Sequence, residues 1–179
     1  TLIKAGVVGT IVLVTAPMAM GAASASPQDA QHAKQTSEVL QIALQVLANL
    51  ASLEEDTVCS VVDHDGHLRR FKSTRLAVLR QGTLGLSVAV LQCEPATMVL
   101  CEEALDVLTN LAFDEDTAAI IAKDKRVIDA LTGLLLNRSY TYNDAVVLKA
   151  ARTLASLLRF SPVSDQSDAP QANARAWIA

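Results

Sequence analysis

The sequence predicts an all-α fold in which helices stack side by side into an extended solenoid, and three observations predict it. First, one helical stripe is written three times. Val39, Leu40, Ala43, Leu44, Leu47 and Leu50 become Leu100, Cys101, Ala104, Leu105, Leu108 and Leu111 on adding 61 to each number. Adding 107 instead gives Val146, Val147, Ala150, Ala151, Leu154 and Leu157. All of these residues are apolar or small, and their offsets place them on one face of an α-helix. Second, aromatic residues make up only 3% of a chain that is 51% hydrophobic. A core of Leu, Val, Ile and Ala suits closely spaced helices better than a sandwich of strands. Third, a shorter apolar segment precedes each stripe, at residues 6–15, 83–92 and 126–136. That is the pattern of units that each bury a face against the next.

Taken in order, residues 6–15 read as the first short helix. Pro17 to Thr36, rich in Ala, Ser, Gln and Met with two prolines, reads as a flexible excursion before the first long helix at 39–50. Glu54-Glu55-Asp56-Thr57 and Asp114-Glu115-Asp116-Thr117 each read as the start of a helix. Acidic residues in a first turn oppose the positive end of the helix dipole, and Asp or Thr can cap it. His64 to Arg75 is polar and basic, and reads as an extended loop or an irregular helix. The second and third long helices follow at 100–111 and 146–157. Ser161 to Gln171 is rich in Pro, Ser and Asp and reads as a flexible linker.

Two of the long segments carry a more specific pattern. Glu103-Ala104-Leu105-Asp106-Val107-Leu108-Thr109-Asn110-Leu111-Ala112 resembles the third helix of an armadillo repeat, E-A-L-x-x-L-x-N-L-A, and Ala43 to Ala51 is similar to it. The segments that begin at Gly6 and Gly82 resemble that family's second helix, with Gly at its proline position. Lys4-Ala5-Gly6 then resembles the end of a first helix, and Asn173 to Ala179 the start of another. HEAT-type helical pairs are the alternative fold, although they lack the Asn-Leu-Ala element. The resemblance implies a right-handed superhelix of three-helix units: an array over residues 1–160 of about three units, then residues 161–179 as linker and start of a further helix. The spacing departs from the family period of about forty-two residues. Asn49 and Asn110 lie 61 apart, and the extra residues fall in insertions near 17–36 and 64–75.

In that family the Asn of the third helix lines a concave groove and bonds to the backbone of an extended peptide. An amide both donates and accepts, so it can satisfy a peptide group of any sequence. The corresponding positions here are Asn49, Asn110 and Ser156; helix termination is the alternative reading of such an Asn. Four residues earlier, where the nuclear-import adaptors of the family carry Trp, this chain has Gln45, Asp106 and Arg152. The aromatic cage for lysine side chains is therefore missing. The groove residues expected from the resemblance are Gln45, Asn49, Asp106, Asn110, Arg152 and Ser156.

A basic run, Arg69, Arg70, Lys72 and Arg75 followed by Arg80, crosses the second insertion. It reads either as a contact for an acidic or phosphorylated partner or as a solvated loop, and Ser73 or Thr74 stand where a basic-directed kinase could act. Asp63-His64-Asp65-Gly66-His67 with Cys59 nearby fits no established zinc spacing, and its Asp-x-Asp-Gly is too short for a calcium loop. His32 has no evident partner. No metal and no cofactor is expected.

The net charge of −4 argues against a general nucleic-acid binder. Cys59, Cys93 and Cys101, an odd count without ligand spacing, read as reduced thiols in a cytoplasmic or nuclear protein. Lys4 followed by the apolar run Ala5 to Met20 and by Ala22-Ala23-Ser24-Ala25-Ser26 also resembles a secretory signal peptide. It is too short and too interrupted by Gly and Pro for a membrane span. The start at Thr1, the likeness of Gly6–Val12 to Gly82–Val88 and the cysteine count favour a repeat fragment instead. No phosphate loop, nucleophile elbow or paired carboxylate set is present. The expected function is non-catalytic: a scaffold or adaptor holding an extended or helical protein segment. The alternatives are a regulatory region of a larger enzyme and a structural part of a cytoskeletal or ciliary assembly.

Overall fold

A computed structural model describes residues 11–12, 27–53, 59–62, 68–93, 98–136 and 144–160. These residues are mostly helical. The elements are α1 (Pro27–Ser52), β1 (Cys59–Val62), β2 (Leu68–Phe71), α2 (Thr74–Val78), a wide helical turn at Leu79–Thr83, α3 (Leu84–Gln92), α4 (Met98–Leu111), α5 (Glu115–Ala122), α6 (Lys125–Leu136) and α7 (Asp144–Phe160).

Three long helices follow the three stripes. Of the eighteen stripe residues, fourteen are buried; Val39, Val147 and Ala151 are exposed and Leu50 is half-buried. The six from α4 are all buried, because α4 lies between α1 and α7 and packs on both. Neighbours also pair in other rows: α3 packs on α6, and α2 on α5. Within a unit, α3 packs on α4, and both α5 and α6 pack on α7. Leu44, Leu47, Leu105, Leu108, Leu131 and Leu157 lie in one continuous core with almost no solvent contact. Burying each such side chain contributes roughly 1.5–3 kcal/mol of transfer free energy.

The short elements show why the chain turns where it does. Asp114 caps α5, its carboxylate accepting from the Thr117 backbone N–H at 3.2 Å. The buried Thr117 hydroxyl donates back to the Leu111 carbonyl, so one residue closes the end of α4 and the start of α5. Between α2 and α3, Gly82 has φ +88° and ψ +7°, a conformation that glycine adopts at least cost. The Val12 side chain would lie 3.2 Å from a Cβ placed there. Thr83 donates to the Val78 carbonyl at 2.8 Å and fixes the wide turn.

Three expectations are corrected. The flexible excursion placed at Pro17 to Thr36 is helical from residue 27 onward, with Pro27 at the first position of α1, where its missing N–H is no loss. The helix expected to follow Glu54 is instead a strand over Cys59–Val62, while 54–58 lie outside the described residues. The stretch expected as a loop or irregular helix from His64 contains β2 and then α2. The strands pair antiparallel, Cys59 with Phe71 and Val62 with Leu68, where the β-branched Val61-Val62 favours extended backbone. The first short helix at 6–15 is described only at Ile11 and Val12, and residues 161–179 lie wholly outside the described residues. No helix among the described residues is long and apolar enough to cross a membrane.

Candidate functional site

The solvent-facing sides of α1, α4 and α7 carry the six expected groove residues, two to a helix and one turn apart. Their surroundings differ. Gln45 is exposed and its Nε2 donates 2.7 Å to Glu103 Oε1 on α4. Asp106 is half-buried and accepts from Lys149 Nζ on α7 at 2.7 Å, and Glu102 lies 3.5 Å from the same ammonium. Burial opposes the charge on Lys149, but its hydrogen bond to Asp106 and the negative charges of Asp106 and Glu102 outweigh it. The amine is held above the ordinary lysine range.

These two bridges are the same contact made twice. Displacement by 61 residues takes Gln45 to Asp106, and displacement by 46 takes Glu103 to Lys149. At both junctions one place on a long helix bonds one place on the next, although donor and acceptor change sides. Thr109 and the fully buried Thr153 add a hydroxyl bridge of 2.7 Å between α4 and α7.

Asn110 is half-buried, and its Nδ2 donates 3.0 Å to the Ala48 carbonyl of α1. One of its amide protons is thus engaged between helices, leaving the second proton and the carbonyl oxygen for a ligand. Asn49 is exposed, and its backbone oxygen accepts from Ser52 Oγ at 2.8 Å. The side chains of Asn49, Arg152 and Ser156 have no partner among the described residues. Exposed apolar groups stand on the same helices: Ile42 is 61% exposed, Val99 48% and Leu148 53%. The surface is a mixture of amide, hydroxyl, charge and isolated apolar groups. It is suited to hydrogen bonding an extended backbone or to seating a helix.

The basic run is partly used within the chain. Lys72 forms an ion pair with Asp116 of α5, and that contact holds its amine above the usual range. Arg75 Nε donates 2.9 Å to the Ala51 carbonyl, placing a cation at the negative end of α1. Arg70 is exposed, and the Arg69 side chain lies outside the described residues, although its backbone belongs to β2. Thr74 is buried, and Ser73 caps α2 by accepting from the Leu76 N–H at 3.2 Å. Thr74 is therefore closed to a kinase.

Cys101 is a buried member of the stripe, and burial, with Cys93 and Glu102 nearby, pushes its thiol up to about 11. It stays protonated and inert as a nucleophile at neutral pH. Cys93 and Cys101 are free thiols. The Asp63 to His67 cluster and, apart from Ile11 and Val12, the signal-like N-terminal run lie outside the described residues, as do the side chains of Cys59 and His32.

Sequence reasoning gave no bonding role to Glu103, Lys149, Thr109 or Thr153, which tie the three helices together. The only available signal was that each lies three or four residues from an expected groove position. Compared with known proteins, the chain matches no protein-family profile, no curated protein and no solved structure.

Proposed function

We propose that the chain is an armadillo-type helical array that binds protein partners across its three long helices, without catalysis of its own. The observation that carries this reading is the repeated bridge, Gln45 to Glu103 and Lys149 to Asp106. A contact that recurs in register at two successive junctions is what equivalent, parallel rungs of a ladder produce. The sequence likeness of Ala43–Ala51 and Glu103–Ala112 to the third armadillo helix supports the same reading. On such a ladder Asn49, Asn110 and Ser156 form one row, and Gln45, Asp106 and Arg152 form another. Asn49, Arg152 and Ser156 offer unengaged polar groups to a ligand, while Gln45, Asp106 and Asn110 keep part of their bonding capacity. Partners with regularly spaced backbone groups, an extended strand or one helical face, match that spacing.

The test begins with peptides selected on the whole chain from a random display library and mapped by amide hydrogen exchange. The proposal expects protection along α1, α4 and α7. Replacing Asn49 and Asn110 by Ala should weaken the selected peptides several-fold, at about 0.5–1.5 kcal/mol per lost hydrogen bond. Circular dichroism should show the helices intact. Selected peptides that protect other surfaces, or that bind the double variant equally well, would remove the groove.

A further inference from the structure

Two short helices, α2 and α5, begin in the same way. α2 starts after Ser73 and α5 after Asp114, and both residues are half-buried with extended backbone, at φ −143° and −104°. The Ser73 hydroxyl accepts from the backbone N–H of Leu76, and the Asp114 carboxylate accepts from that of Thr117, each at 3.2 Å. The Ser73 carbonyl takes the Ala77 N–H and the Asp114 carbonyl takes the Ala118 N–H, and both alanines are fully buried. Ser73 and Asp114 are therefore equivalent places, displaced by 41 residues and not by 61 because the hairpin stands ahead of α2.

The two starts differ in charge. α5 has a carboxylate at its cap and two more, Glu115 and Asp116, in its first turn. α2 has a neutral hydroxyl at its cap, no acid in its first turn, and the cations Lys72 and Arg75 on either side. A serine acquires an anion covalently by phosphorylation, and kinases select substrates by their charge pattern. Arg70 is exposed and stands three residues ahead of Ser73, with Arg69 before it. The strand β2 runs extended to Phe71 and Ser73 is extended again, which is the backbone form that a peptide-binding cleft accepts. Thr74 has the same basic neighbours but is only 2% exposed.

We propose that Ser73 is a phosphorylation site for a basic-directed protein kinase, and that its phosphate gives α2 the anionic cap that Asp114 gives α5. In the transfer, Ser73 Oγ attacks the γ-phosphorus of ATP held by the kinase. The bond from that phosphorus to the bridging oxygen breaks, ADP leaves, and the hydroxyl proton passes to the catalytic base of the kinase. Access opens the Ser73–Leu76 bond, a small local step at the first turn of a five-residue helix. Once in place, the phosphoryl oxygens accept from the Leu76 N–H and bring a charge of about −2 beside Lys72 and Arg75. Lys72 is paired with Asp116 of α5, so the phosphate competes with that carboxylate for the ammonium. The proposal concerns a modification of the basic run and does not depend on the groove.

The test incubates the folded full chain with ATP and a calmodulin-dependent protein kinase and maps the product by mass spectrometry. Incorporation is expected at Ser73 and not at Thr74. Arg70→Gln, at an exposed side chain, should slow it about tenfold or more. Ser73→Asn keeps a capping group, so the helix start is preserved while incorporation there is lost. In the phosphorylated chain, hydrogen exchange at the Leu76 amide should slow several-fold. Several results would overturn the proposal: no incorporation at Ser73 in the folded chain, transfer to Thr74 or another hydroxyl instead, or a rate indifferent to Arg70→Gln. Leu76 exchange that is unchanged or faster after phosphorylation would overturn it as well, because the phosphate would then not act as Asp114 does.

Discussion

Lys149 Nζ lies 2.7 Å from Asp106 Oδ2, spanning α4 and α7 at the places where Glu103 and Gln45 span α1 and α4. If the junctions are equivalent, both bridges should contribute in the same way. Double-mutant cycles to Ala on each pair, read from urea midpoints, should give coupling of about 0.3–1 kcal/mol at both. The Lys149 pair joins two full charges and should weaken as salt is raised. The Gln45 pair has a neutral donor and should change less. Coupling at one junction and none at the other would mean that only one of them is built this way.

The pH dependence follows from the directions of the shifts. The folded-state pKa of Lys149 is raised, so its contribution is fully present below the unfolded lysine value and is lost as pH rises through the folded value. Lys149→Met should therefore be less stable than the native chain at pH 7, and the gap should close above about pH 10.4. Asp124 behaves oppositely. The Arg126 side chain bonds both its oxygens, at 3.0 and 2.6 Å, and holds its carboxyl below the usual range. Its contribution is present above the unfolded carboxylate value and is lost as pH falls through the folded one. Asp124→Asn should be less stable than the native chain at pH 7, and the gap should shrink as pH falls below about 3.9. Denaturation midpoints measured across pH check both signs.

Gly82 combines a positive φ of +88° with the approach of Val12. Gly82→Ala should cost at least about 1 kcal/mol from the left-handed backbone alone. Adding Val12→Ala should relieve only the 3.2 Å contact and leave the backbone cost in place. Full recovery in the double variant would place the whole effect in the side-chain contact.

How much was legible in the sequence depends on whether the cause was local. The long helices announced themselves because a buried face must repeat with the helical period. Asp114 announced the start of α5 because an N-cap acts within three residues. The part of α1 before Glu38 was not legible. Gln31, Lys34 and Gln35 are exposed there, so helix propensity and Pro27 set the structure without an apolar stripe. The hairpin was missed because Glu54-Glu55-Asp56-Thr57 imitates the start of α5, whereas the strand depends on pairing with Leu68–Phe71. Arg75 shows the same limit at the site. Its partner is a backbone carbonyl 24 residues away, which no motif records.

The central claim is that α1, α4 and α7 are successive rungs, with α4 in the middle. Spin labels introduced through non-cysteine chemistry at Gln45, Asp106 and Arg152, taken in pairs, measure it directly. The account predicts similar short separations for 45–106 and 106–152, each near one interhelical spacing of about 8–10 Å, and a 45–152 separation near twice that. A 45–152 separation no longer than the other two would mean a closed bundle, which has no continuous face for a partner.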